Sequence, residues 1–380
     1  MSEKRRQHYV PRFYLKNFSI DRKGLAIGTF NIPSNKFIST ARLKTQAYEI
    51  YFYGKDNRIE NSLGLLEQNS ATVIKDIIRA NSLPNLKSKE FFTLLSFAIF
   101  LKSRTLYAAE ENRELVEKSV KAIYSKDSRL KDHLNNIHII VNDPTKIALR
   151  SAAQCLPIAF DLDYKLLINR TCIPFITSDN PVIYYNQFME TKKAFATGTG
   201  LACKGLEIFL PLSPEHYVIF FDKDVYKFGS RKDLSVIIRD LKDIESLNKL
   251  QCISAYKNLY FDHSISREAF TILMNNAEKN RRRTKLKVDE YTGPTDKEGM
   301  HSLLHFHRTD IKCELHLGFI KILKKARQYE LGNRVLHVRN ERTYHLYEEF
   351  LDLVDRGKHK ISDFYDFLKQ QTQKIDSIGR

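Results

Sequence analysis

"FLPLSPEHYVIF", residues 209–220, is two apolar runs parted by Ser213, Pro214 and Glu215. Short apolar runs bounded by turn residues read as strands. The same pattern recurs around it, in "YKLLIN" (164–169), "IPFIT" (173–177), "PVIYY" (181–185) and "LEIFLPL" (206–212). The chain beyond 164 is therefore a strand-rich block.

Upstream, the periodicity becomes helical. In "NRIENSLGLLEQNSATVIKDIIRA" (57–80), Ile59, Leu63, Leu66, Val73, Ile74 and Ile77 fall on one broad face. Asn57 followed by Glu60 resembles a capping box with Asn in place of Ser or Thr. Ser88 is placed to cap a second, long helix running through Arg104 towards Tyr124, and Asp143-Pro144 opens a third through about Phe160. Before these helices, residues 8–53 read as a small set of strands, among them "LAIGTFNI" (25–32) and "YEIYFYG" (48–54). After the strand block come a helix over about 240–258, a short "LYF" (259–261), and a helix from about Ser266 running into the basic "KNRRRTKLK" (279–287). The expected architecture is α+β: a helical layer packed on a mainly antiparallel sheet. Residues 1–285 would form the main domain and 286–380 a small C-terminal accessory module.

Composition bounds the function. Against 45 Asp plus Glu stand 62 Lys plus Arg, a formal net charge of +17, and such a field favours a polyanionic partner, DNA or RNA. The five cysteines form no CxxC pair, which fits a reducing compartment, and the polar start MSEKRRQ lacks the apolar stretch of a signal peptide, so a cytoplasmic protein is expected. The most apolar window, "FFTLLSFAIFL" (91–101), is too short to span a bilayer and reads as a buried helix. Phosphate-binding, dinucleotide-binding and Gly-x-Ser-x-Gly signatures are all missing from the sequence, which removes support for a nucleotide-driven motor, a dinucleotide oxidoreductase and a typical serine hydrolase. Oligomeric state is not legible.

Five stretches in this order, "HYVPRFYLKNF" (8–18), "IENSLGLLE" (59–67), "KSRT" (102–105), "FITSDNPVI" (175–183) and "FLPLSPEHYVIF" (209–220), resemble an uncharacterised bacterial domain-of-unknown-function family. Its members open with His-Tyr-Val-Pro-x-Phe-Tyr-Leu. The resemblance covers roughly residues 8–262 and implies no reaction, so mechanism has to come from the side chains.

His8 is a candidate general base, with Tyr9, Phe13 and Tyr14 beside it to exclude water or stack on a base. The same aromatics also suit a buried strand with His8 as a hydrogen-bonded bystander. Glu60 and Glu67, seven residues apart on one helix face and roughly 10 Å apart along its axis, could line one cleft. Capping explains Glu60 equally well, and exposure explains Glu67. Asp179, where a strand stops, suits a divalent cation or the orientation of His8, and suits an Asx turn just as well. Arg104 is the natural partner of a phosphate or of one of the carboxylates. Lys279, Arg281, Arg282, Arg283, Lys285 and Lys287 are candidate phosphate contacts or a solvated linker. His301, His305, His307, Cys313 and His316 are zinc-type ligands, but their spacing matches no standard site.

Two functions fit this set. The first is a nucleic-acid-processing enzyme, a metal-dependent nuclease or phosphodiesterase. Glu60, Glu67 and Asp179 would hold Mg or Mn, His8 would be the base and Arg104 the phosphate clamp. Bacterial defence against phage or mobile DNA is a process such cleavage could serve. The second is a non-catalytic nucleic-acid-binding or scaffold protein. The first requires His8, Glu67 and Asp179 to converge, whereas the second has them scattered or satisfied by local backbone.

Overall fold

A computed structural model of the chain describes residues 5–125, 129, 139–194, 198–281, 287–294, 300–307, 311–332, 336–364, 366–367 and 370–371. The N-terminal part contains β1 (Arg6–His8), α1 (Arg12–Lys16), β2 (Ala26–Asn31), β3 (Lys36–Arg42) and β4 (Tyr48–Ile50). Four long helices follow: α2 (Arg58–Ala80), α3 (Lys89–Ser103), α4 (Leu106–Tyr124) and α5 (Pro144–Cys155). The strand block holds β5 (Asp163–Asn169), β6 (Thr177–Ser178), β7 (Ile183–Tyr185), α6 (Gln187–Thr191), β8 (Glu207–Ser213), β9 (His216–Phe221), β10 (Tyr226–Phe228) and β11 (Ser235–Ile238). Then come α7 (Leu241–Ser254), β12 (Asn258–Phe261), α8 (Arg267–Glu278), β13 (Lys287–Pro294), β14 (Met300–His307), β15 (Ile320–Ile322), α9 (Lys324–Arg327) and α10 (Glu341–Asp355).

The fold class is α+β. A five-stranded sheet runs in the order β11-β5-β9-β8-β7, antiparallel except for the β11–β5 pair, and a four-stranded antiparallel sheet runs β3-β2-β12-β6. Every residue of β8 and β9 is buried. Their two faces enter different cores. Ile208, Leu210, Val218 and Phe220 pack with residues of α1, α2 and α3, while Phe209, Tyr217 and Ile219 pack with Ile244 and Leu247 of α7. A sheet covered on both sides needs apolar side chains at successive positions, which is why "FLPL" and "HYVIFF" are continuous runs instead of alternating ones. Each fully buried Leu, Ile or Phe contributes about 1.5–3 kcal/mol.

Four readings of local structure are corrected. The opening motif is not extended throughout: after Pro11, residues Arg12–Lys16 form α1, with Pro11 at the helix N-terminus. The long helix expected from Ser88 to Tyr124 is two helices bent by 59°, with Arg104 at the C-cap of α3 and Thr105 capping α4 through Ala108 N. Ser88 does cap α3, accepting from Phe91 N at 3.2 Å. Asn57 precedes α2 but makes no cap, because its backbone is left-handed (φ 54°) and its Oδ1 accepts instead from Gln7 Nε2 at 3.4 Å. Asp143 at the start of α5 likewise makes no side-chain cap, although Pro144 takes the first turn as expected.

Beyond position 285/286, the boundary expected from the sequence, described residues are in contact with the main body. β15 pairs with β10, Leu315, Leu317 and Ala326 join the core of α7, and buried Arg339 pairs with Asp161 at 2.6 Å. Among the described residues no single helix is long and apolar enough to cross a membrane. All five cysteines are free thiols.

Candidate functional site

The five sequence stretches meet in space. Tyr14, fully buried on α1, shares a hydrogen bond with Thr177 Oγ1 and donates to Pro211 O, each at 2.8 Å, tying the opening motif to "FITSDNPVI" and "FLPLSPEHYVIF". Arg104 ties it to the other two. Because α3 ends there, its side chain turns back beneath β1: Nη2 donates to His8 O at 2.7 Å, Nη1 to Glu67 Oε1 at 2.6 Å, and Nε to Tyr53 Oη at 2.8 Å. Burial works against its charge, but Tyr53 and Glu67 outweigh that and raise its pKa. Tyr53 is itself pushed up to about 12 by burial against the pull of Arg104, with Glu60 and Glu67 adding to the rise. Both predicted helix carboxylates therefore lie near one phenol. Glu60 is half-buried in the first turn of α2.

Sequence reasoning missed the residue that completes this knot. Gln7 is fully buried, its Nε2 donating to Gly54 O at 2.9 Å and its Oε1 accepting from Tyr53 N at 2.6 Å. A glutamine one position before His8 must face away from it in a strand, and that alternation is the signal that could have found it.

His8 is half-buried on β1. Its Nε2 is covered and has no hydrogen-bond partner. The imidazole is lowered to about 4, first by burial and then by the Arg12 charge, with Arg104 and Arg6 adding to this against a hydrogen bond to the Lys44 carbonyl. It is thus neutral at pH 7, with Nε2 a lone-pair acceptor among three guanidinium groups. Tyr9 and Tyr14 are buried and Phe13 packs on Phe97 at 5.4 Å, so this trio packs and does not offer a face to a base.

Asp179 is engaged by backbone on both its oxygens. Its Oδ1 accepts from Tyr256 N at 2.8 Å, and its Oδ2 from Lys257 N at 2.7 Å and Asn258 N at 2.9 Å. The carboxylate thereby closes the turn between α7 and β12. Burial raises it to about 6 in spite of these donors. The Asx-turn alternative called for local donors, whereas these lie 77, 78 and 79 residues away.

As metal ligands, Glu60, Glu67 and Asp179 do not form a set: among the described residues no group of three or more His, Cys, Asp or Glu side chains could hold an ion. The physical reason is that Arg104 occupies one Glu67 oxygen and backbone N–H groups occupy both oxygens of Asp179. In the basic run, Lys279 is exposed, whereas Arg281 donates to Cys252 O at 3.1 Å and Ala255 O at 3.4 Å, holding the end of α7. Arg282, Arg283 and Lys285 lie outside the described residues, as does the side chain of Lys287. Those of His301, His305 and His307 do too; Cys313 contacts Tyr185 Oη, and His316 the Glu314 carbonyl.

The geometry defines an α+β domain whose N-terminal strand is pinned by an Arg–Glu–Tyr knot and carries an imidazole whose Nε2 has no partner, in a cationic setting. Residues 6–264 match the family described as "Protein of unknown function (DUF4238)", and the chain belongs to that family. No curated protein and no solved structure matches it.

Proposed function

We propose that the domain processes nucleic acid by cleaving phosphodiester bonds at His8. The observation that supports this reading is the neutral imidazole with an unpartnered Nε2 beside Arg6, Arg12 and Arg104. A base of this kind takes the proton from the attacking oxygen as its bond to phosphorus forms. The bond to the leaving oxygen breaks, and that oxygen is protonated from solvent. Arg6 and Arg12, both exposed, neutralise the phosphate, and Arg104 acts as a positioning residue through the His8 carbonyl. Glu60 or Glu67 would add a carboxylate to a divalent cation, Mg or Mn, that would supply charge neutralisation at the phosphate. Magnesium is commonly bound through one or two carboxylates plus substrate phosphates.

The second reading, a non-catalytic nucleic-acid-binding or scaffold protein, is favoured by the complete satisfaction of Asp179 by backbone groups. One assay separates the two. Purified protein is incubated with DNA and with RNA, in Mg or Mn and then in chelator. Cleavage by the wild type, lost in His8→Ala at a temperature at which both proteins remain folded, is the expected result. No cleavage under any condition would overturn the catalytic reading and leave the second, and full cleavage by His8→Ala would overturn His8 as the base.

A further inference from the structure

We propose that the outer face of the β1–β4 ribbon is a stacking platform for single-stranded nucleic acid, which would make the single strand, and not the duplex, the form presented to His8. The inference rests on the nucleic-acid reading above and adds the substrate's form.

The platform follows from strand register. Arg6 pairs with Ile50, Gln7 with Glu49 and His8 with Tyr48 in an antiparallel ladder. Directly opposed residues share a face, and successive residues alternate. Gln7 is locked inward by Tyr53 N and Gly54 O, which forces Arg6, His8, Tyr48 and Ile50 together onto the opposite side. There the Arg6 guanidinium lies 5.2 Å from the Tyr48 ring centre and the His8 ring 5.7 Å from it. Ile50 is 55% exposed, although an isoleucine on a ribbon with a fully buried inner residue has no packing reason to face water.

The rim continues the same chemistry. Arg6, Arg12 and Lys44, neighbours of His8, are all exposed, while Glu49 belongs to the opposite face by alternation. Half-exposed aromatics and an aliphatic side chain among cations suit unstacked bases above and phosphates alongside. In a duplex the base faces are already stacked on one another, so only the cations would find partners.

The test is fluorescence anisotropy of the full chain, in chelator so that nothing is cut. The probes are labelled oligothymidylate of about 16 nucleotides, oligouridylate of the same length, and the duplex of oligothymidylate with oligoadenylate. Single strands should bind at least about tenfold more tightly than the duplex. Tyr48→Ala should weaken single-strand binding about tenfold with the duplex unmoved, and Tyr48→Phe should retain it. Ile50→Ser, at an exposed position, gives the same direction in a variant whose folding is not at issue. Equal affinity for strand and duplex, no binding of either, or single-strand binding untouched by both Tyr48→Ala and Ile50→Ser, would overturn the platform. If strands bind through Tyr48 and are not cut, the catalytic reading falls and this one stands; if both forms are cut and bound alike, this one falls alone. The DNA and RNA arms show which sugar is preferred.

Discussion

Arg104 and Asp179 are charged residues of similar depth, 2% and 1% exposed, and each holds distant pieces of chain together. Their surroundings differ in kind. Asp179 is met entirely by backbone N–H groups of one turn, so both its oxygens are used. Arg104 is met by a phenol, a carboxylate and one carbonyl, and the strand that carries this carbonyl also carries an imidazole with an idle nitrogen. A charge satisfied by fixed backbone is a fastening. A charge satisfied by side chains beneath a ribbon fastens as well, yet leaves a covered nitrogen of His8 without a partner. Chemistry is sought at the second knot for that reason.

The comparison can be broken most forcefully at Asp179. Asp179→Ala leaves the N–H groups of Tyr256, Lys257 and Asn258 without their acceptor in a buried turn. The unfolding free energy should fall by about 4 kcal/mol, read by urea denaturation. Any loss of cleavage or binding should track the unfolded fraction. An Asp179→Ala protein of full stability that had lost all cleavage would show the carboxylate to be a reacting group after all. Glu67→Ala should cost less, about 2 kcal/mol by the same measurement, because its side chain is 28% exposed and water can reach the Arg104 guanidinium in its place.

The sequence was most informative where one rule acted alone. Continuous apolar runs gave β5, β8 and β9, and a hydroxyl cap at Ser88 gave the start of α3. It was least informative where a long-range partner overrode a local preference. Asn57 had the residue type and position of a cap, but Gln7, fifty positions away, took its oxygen. The break at Arg104 had no proline or glycine to announce it; the helix stops where the guanidinium swings under β1. At the site, His8, Glu67 and Arg104 could be picked out by type, but not the bonds among them. The partners of Asp179 were not legible because nothing local reveals that residues 256–258 supply its donors.

The smallest effect distinguishes the two knots by the sign of their response to pH. His8 is depressed to about 4 from an ordinary 6.5, so between those values the unfolded chain binds more protons than the folded one. Its stabilising contribution is therefore full above pH 6.5 and is lost as pH falls through 4. Asp179, raised to about 6 from 3.8, behaves oppositely: its contribution is full below pH 3.8 and lost as pH rises through 6. The melting temperature of His8→Gln, subtracted from that of the wild type at each pH from 4 to 7, should show an advantage for the wild type that shrinks steadily toward acid. A flat difference would mean that the imidazole is solvated and titrates normally. The same depression places the acid limb of cleavage near pH 4 instead of near 6.5, since Nε2 accepts a proton only while the ring is neutral.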